Sequence, residues 1–110
     1  MIATITLNPC LDQHITVDGL VIDGVNRWSR LQPYAGGKGI DVSRAINEMG
    51  GRTMAYGFIG GPVGRAVEIL LDEDGVPFSF TPIRQETRTN FIITDTRTSR
   101  QTRIDAPGPH

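Results

Sequence analysis

Ala35-Gly36-Gly37-Lys38-Gly39 stands directly before the first stretch with helical periodicity, and there the main chain itself could do chemistry. Glycines let a ligand approach the backbone closely because no Cβ intervenes. A helix N-terminus adds free N–H groups and Lys38 adds a point charge, so the loop could gather oxyanions or hydroxyls. Such a loop serves equally well as a plain turn. Two phosphate-binding patterns do not fit it. A Walker A loop requires G-x-x-x-x-G-K-[ST], but Gln32 stands where its first glycine belongs and Gly39 follows Lys38. The dinucleotide fingerprint G-x-G-x-x-G would begin at Gly37 and Gly39 and meets Val42 in its third place.

The other polar candidates are ambiguous when taken singly. Asp12, just after Asn8-Pro9, reads as a turn or cap residue. Arg84, Arg88, Arg97, Arg100 and Arg103 read mostly as a solvated strand face. Cys10 has no neighbouring His or Lys and reads as a small buried filler, not a nucleophile. A single cysteine excludes an internal disulfide framework and fits a reducing cytoplasm. With only Cys10, His14 and His110 to offer, the sequence has no closely spaced Cys/His zinc motif, so no metal site is expected.

These residues must be held by elements that the patterning reveals. Residues 1–7 (MIATITL) read as a strand ended by Asn8-Pro9, and 13–17 (QHITV) as a short second one. An irregular strand with Trp28 and Leu31 is expected over 26–34, and a flexible loop over 35–39. Val42, Ala45, Ile46 and Met49 recur at helical spacing and predict the packed face of a helix that Gly50-Gly51 stops. Residues 53–59 form a largely apolar strand, of the kind covered on both faces. Pro62 opens a second helix whose stripe is Val63, Ala66, Val67, Leu70 and Leu71, and Gly75 ends it before a strand at 76–81. Strand and helix alternating with short loops is the pattern of a parallel α/β sheet. Two segments stand apart: 13–34, and the Thr- and Arg-rich 87–105, with a hairpin of strands at 89–94 and 101–105. Together they predict a separate small β-sheet, followed by a loop at 106–110.

Eleven basic and twelve acidic residues leave a net charge of −1, so no global field draws the chain to nucleic acid or to an anionic membrane. Its apolar runs are too short to span a bilayer. At 110 residues there is room for one small domain.

Set in order, Thr6-Leu7-Asn8-Pro9-x-Leu11-Asp12, Gly24-Val25-Asn26-Arg27 and Gly36-Gly37-Lys38-Gly39-Ile40-Asp41-Val42-Ser43-Arg44-Ala45 resemble the start of a PfkB-family carbohydrate kinase. The likeness is to the branch that holds 1-phosphofructokinases and tagatose-6-phosphate kinases. Gly57-Phe58-Ile59-Gly60-Gly61, Gly64, Asp74-Gly75-Val76-Pro77 and Thr87-Arg88-Thr89-Asn90 continue it across essentially the whole chain. The resemblance implies a ribokinase-like three-layer α/β/α sandwich with a small β-lid, the lid segments being about 13–34 and 87–105. It implies ATP and Mg²⁺ as cofactors and a sugar phosphate as substrate; the open edges of a polar lid offer a route to pairing of two copies. On the matching positions, Asp12 would accept hydrogen bonds from sugar hydroxyls, and Gly36, Gly37, Lys38 and Gly39 would close on the sugar. Asp41 would hold another hydroxyl, while Arg88 and Asn90 would lie on the lid side with Arg88 toward the substrate's phosphate. Asp41 departs from the family's usual Asn, since an ionised carboxylate only accepts and would repel a nearby phosphate.

The family's catalytic aspartate sits in a Gly-Ala-Gly-Asp type motif, and no G-x-G-D occurs in these 110 residues. The expectation is therefore a substrate-binding N-terminal part, inactive alone, with the catalytic and ATP-binding part absent. The rival expectation is a non-catalytic fragment that binds sugar or pairs with a full-length subunit through its lid.

Overall fold

The computed structural model describes residues 1–107, so the loop expected at 106–110 lies partly outside the described residues. In chain order the elements are β1 (Ile2–Thr6), β2 (Cys10–Val17), β3 (Arg30–Gly36), α1 (Lys38–Glu48), β4 (Thr53–Ile59), α2 (Gly61–Glu73), β5 (Phe78–Pro82), β6 (Arg88–Asp95) and β7 (Arg100–Ile104). Three of the strands make a parallel sheet in the order β1-β4-β5. Both crossovers advance the same way across it, so right-handed connections put both helices on one face. Ile40 of α1 and Val67 and Leu71 of α2 accordingly share one core with Leu11, Ala35, Ile59 and Val76. Each large aliphatic side chain buried there contributes roughly 1.5–3 kcal/mol.

The packed face of α1 is not the one its periodicity predicts. Ile40 and Ser43 are fully buried, whereas Val42 is 49% and Met49 80% exposed. Three hydroxyls explain the rotation. Ser43 Oγ lies 2.6 Å from Thr4 Oγ1 and 2.8 Å from Thr53 Oγ1, all three buried. A satisfied serine thus takes the central contact that an aliphatic residue was expected to fill. In α2 the expected stripe does face inward, with Val67 and Leu71 at its centre.

The opposite face of the core sheet is apolar and uncovered. Ala3, Ile5, Leu7, Tyr56 and Phe58 line it, and Ile5 is 71% exposed. The strand at 53–59 is therefore covered on one face only among the described residues, which supply two of the three expected layers.

The remaining strands form a second sheet in the order β3-β2-β6-β7, the lid expected from segments 13–34 and 87–105. Its strands begin or end closer to the core than predicted. β2 starts at Cys10, not at 13, and β3 runs over Arg30–Gly36, not over 26–34. β2 is an interior strand paired from its first residue, with Cys10 opposite both Gly36 and Arg88. Pairing on both sides carries the strand back to the Asn8-Pro9 break and draws Ala35 and Gly36 out of the expected loop. Leu11 and Ala35, at the base of the lid, are buried in the common core, so lid and core share one packing unit.

Candidate functional site

The parallel pairing of β2 with β6 sets Asp12 opposite Asn90 and Cys10 opposite Arg88. Strand alternation then places Cys10, Asp12, Arg88 and Asn90 on one face of the lid, with Gly36 and Tyr34 of β3 beside them. Asp12 Oδ1 accepts hydrogen bonds from Asn90 Nδ2 at 3.2 Å and from Cys10 Sγ at 3.3 Å. Asn90 is 2% exposed and is used at both ends, its Oδ1 accepting from the Ala106 N–H at 2.9 Å. One buried amide thus fixes the aspartate and fastens the chain after β7.

Asp12 lies over glycine. A Cβ on Gly36 would stand 2.5 Å from Asp12 Oδ2 and 2.8 Å from Cys10 Sγ, so only a residue without a side chain leaves the carboxylate in place. Gly37 is the N-cap of α1 with φ 126 and ψ 143, a conformation essentially confined to glycine. A Cβ there would meet Thr6 Cγ2 at 2.6 Å. The expected flexible loop is therefore a tight joint in which α1 closes on the carboxyl end of β1. Thr6 Oγ1 is buried at that joint without a hydrogen-bond partner.

Burial pushes the Cys10 thiol up to about 12, and the charge and hydrogen bond of Asp12 push the same way. Arg88 pulls it down, and Asp41 raises it further. The thiol stays protonated at neutral pH and donates to Asp12, which agrees with the filler reading of Cys10. The same balance puts Asp12, Asp41 and Arg88 within electrostatic reach of one atom.

Arg88 is half-buried, with Nη2 3.5 Å from the Asn8 carbonyl and Nε buried without a partner among the described residues. It borders a hollow of about 40 Å³ with Leu7, Pro9, Glu86 and Pro107, room for one or two waters. Asp41, in the first turn of α1, is exposed and paired with Arg44 at 3.1 Å. Lys38 is exposed at the start of the same helix and makes no ion pair among the described residues. Of the site residues expected from sequence, Gly36, Arg88 and Asn90 lie beside Asp12, whereas Gly37 and Gly39 abut Thr6, Asp41 pairs with Arg44 and Lys38 is exposed. His14, further along β2, packs its ring edge-on to Tyr34 at 4.7 Å.

Four residues with positioning roles were not foreseen. Thr87 Oγ1 accepts from Gly60 N–H at 3.0 Å and Glu86 Oε1 from Val63 N–H at 2.7 Å, fastening the segment before Arg88 to the N-terminus of α2. Arg44 and Thr6 serve the α1 joint. Contacts spanning 23 and 27 residues leave no local periodicity to find them by.

The model of the pfkB family of carbohydrate kinases matches residues 5–108. The chain is similar to the 1-phosphofructokinase of Bacillus subtilis, with 36% identity over 99% of this chain and 35% of that protein. It is similar to the tagatose-6-phosphate kinase of Staphylococcus epidermidis, with 38% identity over 99% of this chain and 34% of that protein. Its fold matches phosphofructokinase-2 from Escherichia coli, solved in complex with fructose-6-phosphate, at a TM-score of 0.91 and 32% identity over 97% of this chain and 35% of that one. The chain spans about a third of the length of these relatives.

Proposed function

Because the chain belongs to the pfkB family of carbohydrate kinases and carries part of its ribokinase-like α/β fold, we propose that it is the acceptor-holding part of a sugar-phosphate kinase. The acceptor in this reading is a phosphorylated ketohexose, fructose 1-phosphate before tagatose 6-phosphate. One observation carries it: Asp12 and Asn90 are hydrogen-bonded side by side over Gly36, with Arg88 on the same face of the lid. Asp12 Oδ2, which accepts no side-chain hydrogen bond among the described residues, takes a sugar hydroxyl. The main chain at Gly36, Gly37 and Gly39 permits close approach of the ring, and Asp41 takes a second hydroxyl. A buried guanidinium N–H without an acceptor fits an oxygen of the substrate's existing phosphate, and Lys38 adds charge at the rim.

ATP with Mg²⁺ is the donor in this reading. Among the described residues no three His, Cys, Asp or Glu side chains converge to hold a metal ion. The nucleotide site and the base are assigned to the further length that the relatives possess. Cytoplasmic location belongs to the same proposal; no helix of the described residues is long and apolar enough to cross a membrane. A second copy is proposed to pair through the lid, where β7 is exposed along its whole length.

Titration of the ¹⁵N-labelled chain with fructose 1-phosphate, tagatose 6-phosphate and fructose 6-phosphate tests the acceptor site. Amide shifts at residues 12, 36–39 and 90 are expected, with binding weakened at least about tenfold by Asp12→Ala. Shifts confined to other surfaces count against it. The chain alone is expected to turn over no ATP with any of the three sugars. Sugar-dependent turnover would move the base into these residues. The exposed β7 edge favours one second reading, a non-catalytic fragment that binds sugar or pairs with a full-length subunit through its lid.

A further inference from the structure

Asp41 brings a negative charge to a site that holds an anionic sugar in the reading above, and unmatched it would oppose binding. Arg44 meets that charge from one helical turn away, its Nη1 lying 3.1 Å from Asp41 Oδ1. The guanidinium is itself fixed from the protein side. Nη2 donates to the carbonyl of Ala35 at 2.6 Å, the residue before Gly36 in β3. Nε faces Asp74 Oδ2, at the end of α2, at 3.5 Å, close enough for charge attraction but without hydrogen-bond geometry. The Arg44 side chain is 22% exposed and that of Asp41 63%, so the cation is anchored and the carboxylate stands at the surface. A surface pair usually loses much of its attraction to side-chain entropy; here the fork is held by two other elements before the pair forms. Among the described residues only Oδ1 of Asp41 is engaged, leaving Oδ2 open. The charge of Asp41 also reaches Cys10, which lies against Asp12.

We propose that Arg44 is a positioning residue of the sugar-phosphate site: it offsets the charge of Asp41 and turns one carboxylate oxygen toward a sugar hydroxyl. It also ties that carboxylate to the end of β3, next to the glycine that seats Asp12. The inference rests on the acceptor reading above. Arg44 touches no substrate, and its effect passes through Asp41 and depends on the substrate being an anion.

The test is a double-mutant cycle on the 110-residue chain with two ligands, fructose 1-phosphate and uncharged fructose, read by NMR titration. Arg44→Gln is expected to weaken fructose 1-phosphate about fivefold and fructose less than about twofold. Adding Asp41→Asn should restore fructose 1-phosphate to within about twofold of Asp41→Asn alone, because a neutral amide needs no counter-charge. Equal losses for both sugars, or no recovery in the double variant, would reduce Arg44 to a structural tie and overturn the inference. If Arg44→Gln does not fold, Arg44→Lys runs the same cycle, with about a twofold loss alone and none beside Asp41→Asn. A wild-type chain that binds neither sugar would remove the acceptor reading, and this inference with it.

Discussion

The Asp12 face of the lid and the open face of the core sheet differ in chemistry. On the lid, Asp12, Asn90 and Cys10 satisfy one another and are seated on Gly36, so polar groups are held in place before any ligand arrives. On the core sheet, Ala3, Ile5, Leu7, Tyr56 and Phe58 lie open with no helix over them. The first face is organised by contacts within the chain. The second is apolar and open among the described residues, a face of the kind that a stable domain buries. The polar groups of the lid face are thus partnered among the described residues, while the apolar groups of the sheet face are not.

The sharpest way to break this contrast is to compare the two faces of the core sheet. Leu71→Ala, on the helix-covered face where the side chain is fully buried, is expected to cost about 2–5 kcal/mol. That approaches the whole stability of a small domain, so the variant should be largely unfolded. Ile5→Ala, on the open face, should cost less than about 0.5 kcal/mol. Urea unfolding monitored by circular dichroism separates them. Similar losses for both would mean that the open face is buried in solution, by self-association or otherwise.

A second comparison sets the lid face against its own scaffold. Gly36→Ala would drive a Cβ to within 2.5 Å of Asp12 Oδ2 and 2.8 Å of Cys10 Sγ. It is expected to weaken fructose 1-phosphate at least about tenfold, while stability falls by about 1–3 kcal/mol from local overpacking. Binding unchanged beside a preserved spectrum would show that the ligand site does not lie at Asp12.

How far the sequence discloses this arrangement depends on where each residue's partners lie. The second helix was legible because its burial follows a local stripe: Val67 and Leu71 point where their spacing says. The first was misread because Ser43 outranks Val42 and Met49 only when the hydroxyls of Thr4 and Thr53 reach it from distant strands. Asp12 alone reads as a turn residue, and its pairing with Asn90 spans 78 positions through a parallel ladder that leaves no local trace. Resemblance to a family named both residues. It could not say that the amide is wholly buried or that Gly36 seats the carboxylate. The Gly-rich loop was legible as glycine and illegible as a joint, because the atoms that demand glycine belong to Thr6, Cys10 and Asp12.

The smallest expected effect concerns the far end of the lid, where one carboxylate does locally what the Asp12 cluster does at the site. Asp95, at the end of β6, accepts from the N–H groups of Leu20 at 3.0 Å, Arg97 at 2.9 Å and Gly19 at 3.1 Å. The hydrogen bond from Leu20, then those from Arg97 and Gly19, hold its carboxyl below the ordinary aspartate value. A depressed folded pKa means that this contribution is complete above the unfolded value of about 3.9 and is lost as pH falls through the lower folded value. Lowering the pH from 6 should therefore leave the amide resonances of Gly19, Leu20 and Arg97 in place until below pH 4, after which they should move together. The amides of Val67 and Leu71 should not follow them in that step. Asp95→Asn should abolish the step and loosen the tip without touching phosphosugar binding. A common midpoint at or above pH 4 would show that the carboxylate is not bound as drawn. Movement of the core amides in the same step would show that tip and core unfold as one body, erasing the distinction between a self-organised lid and the sheet beneath it.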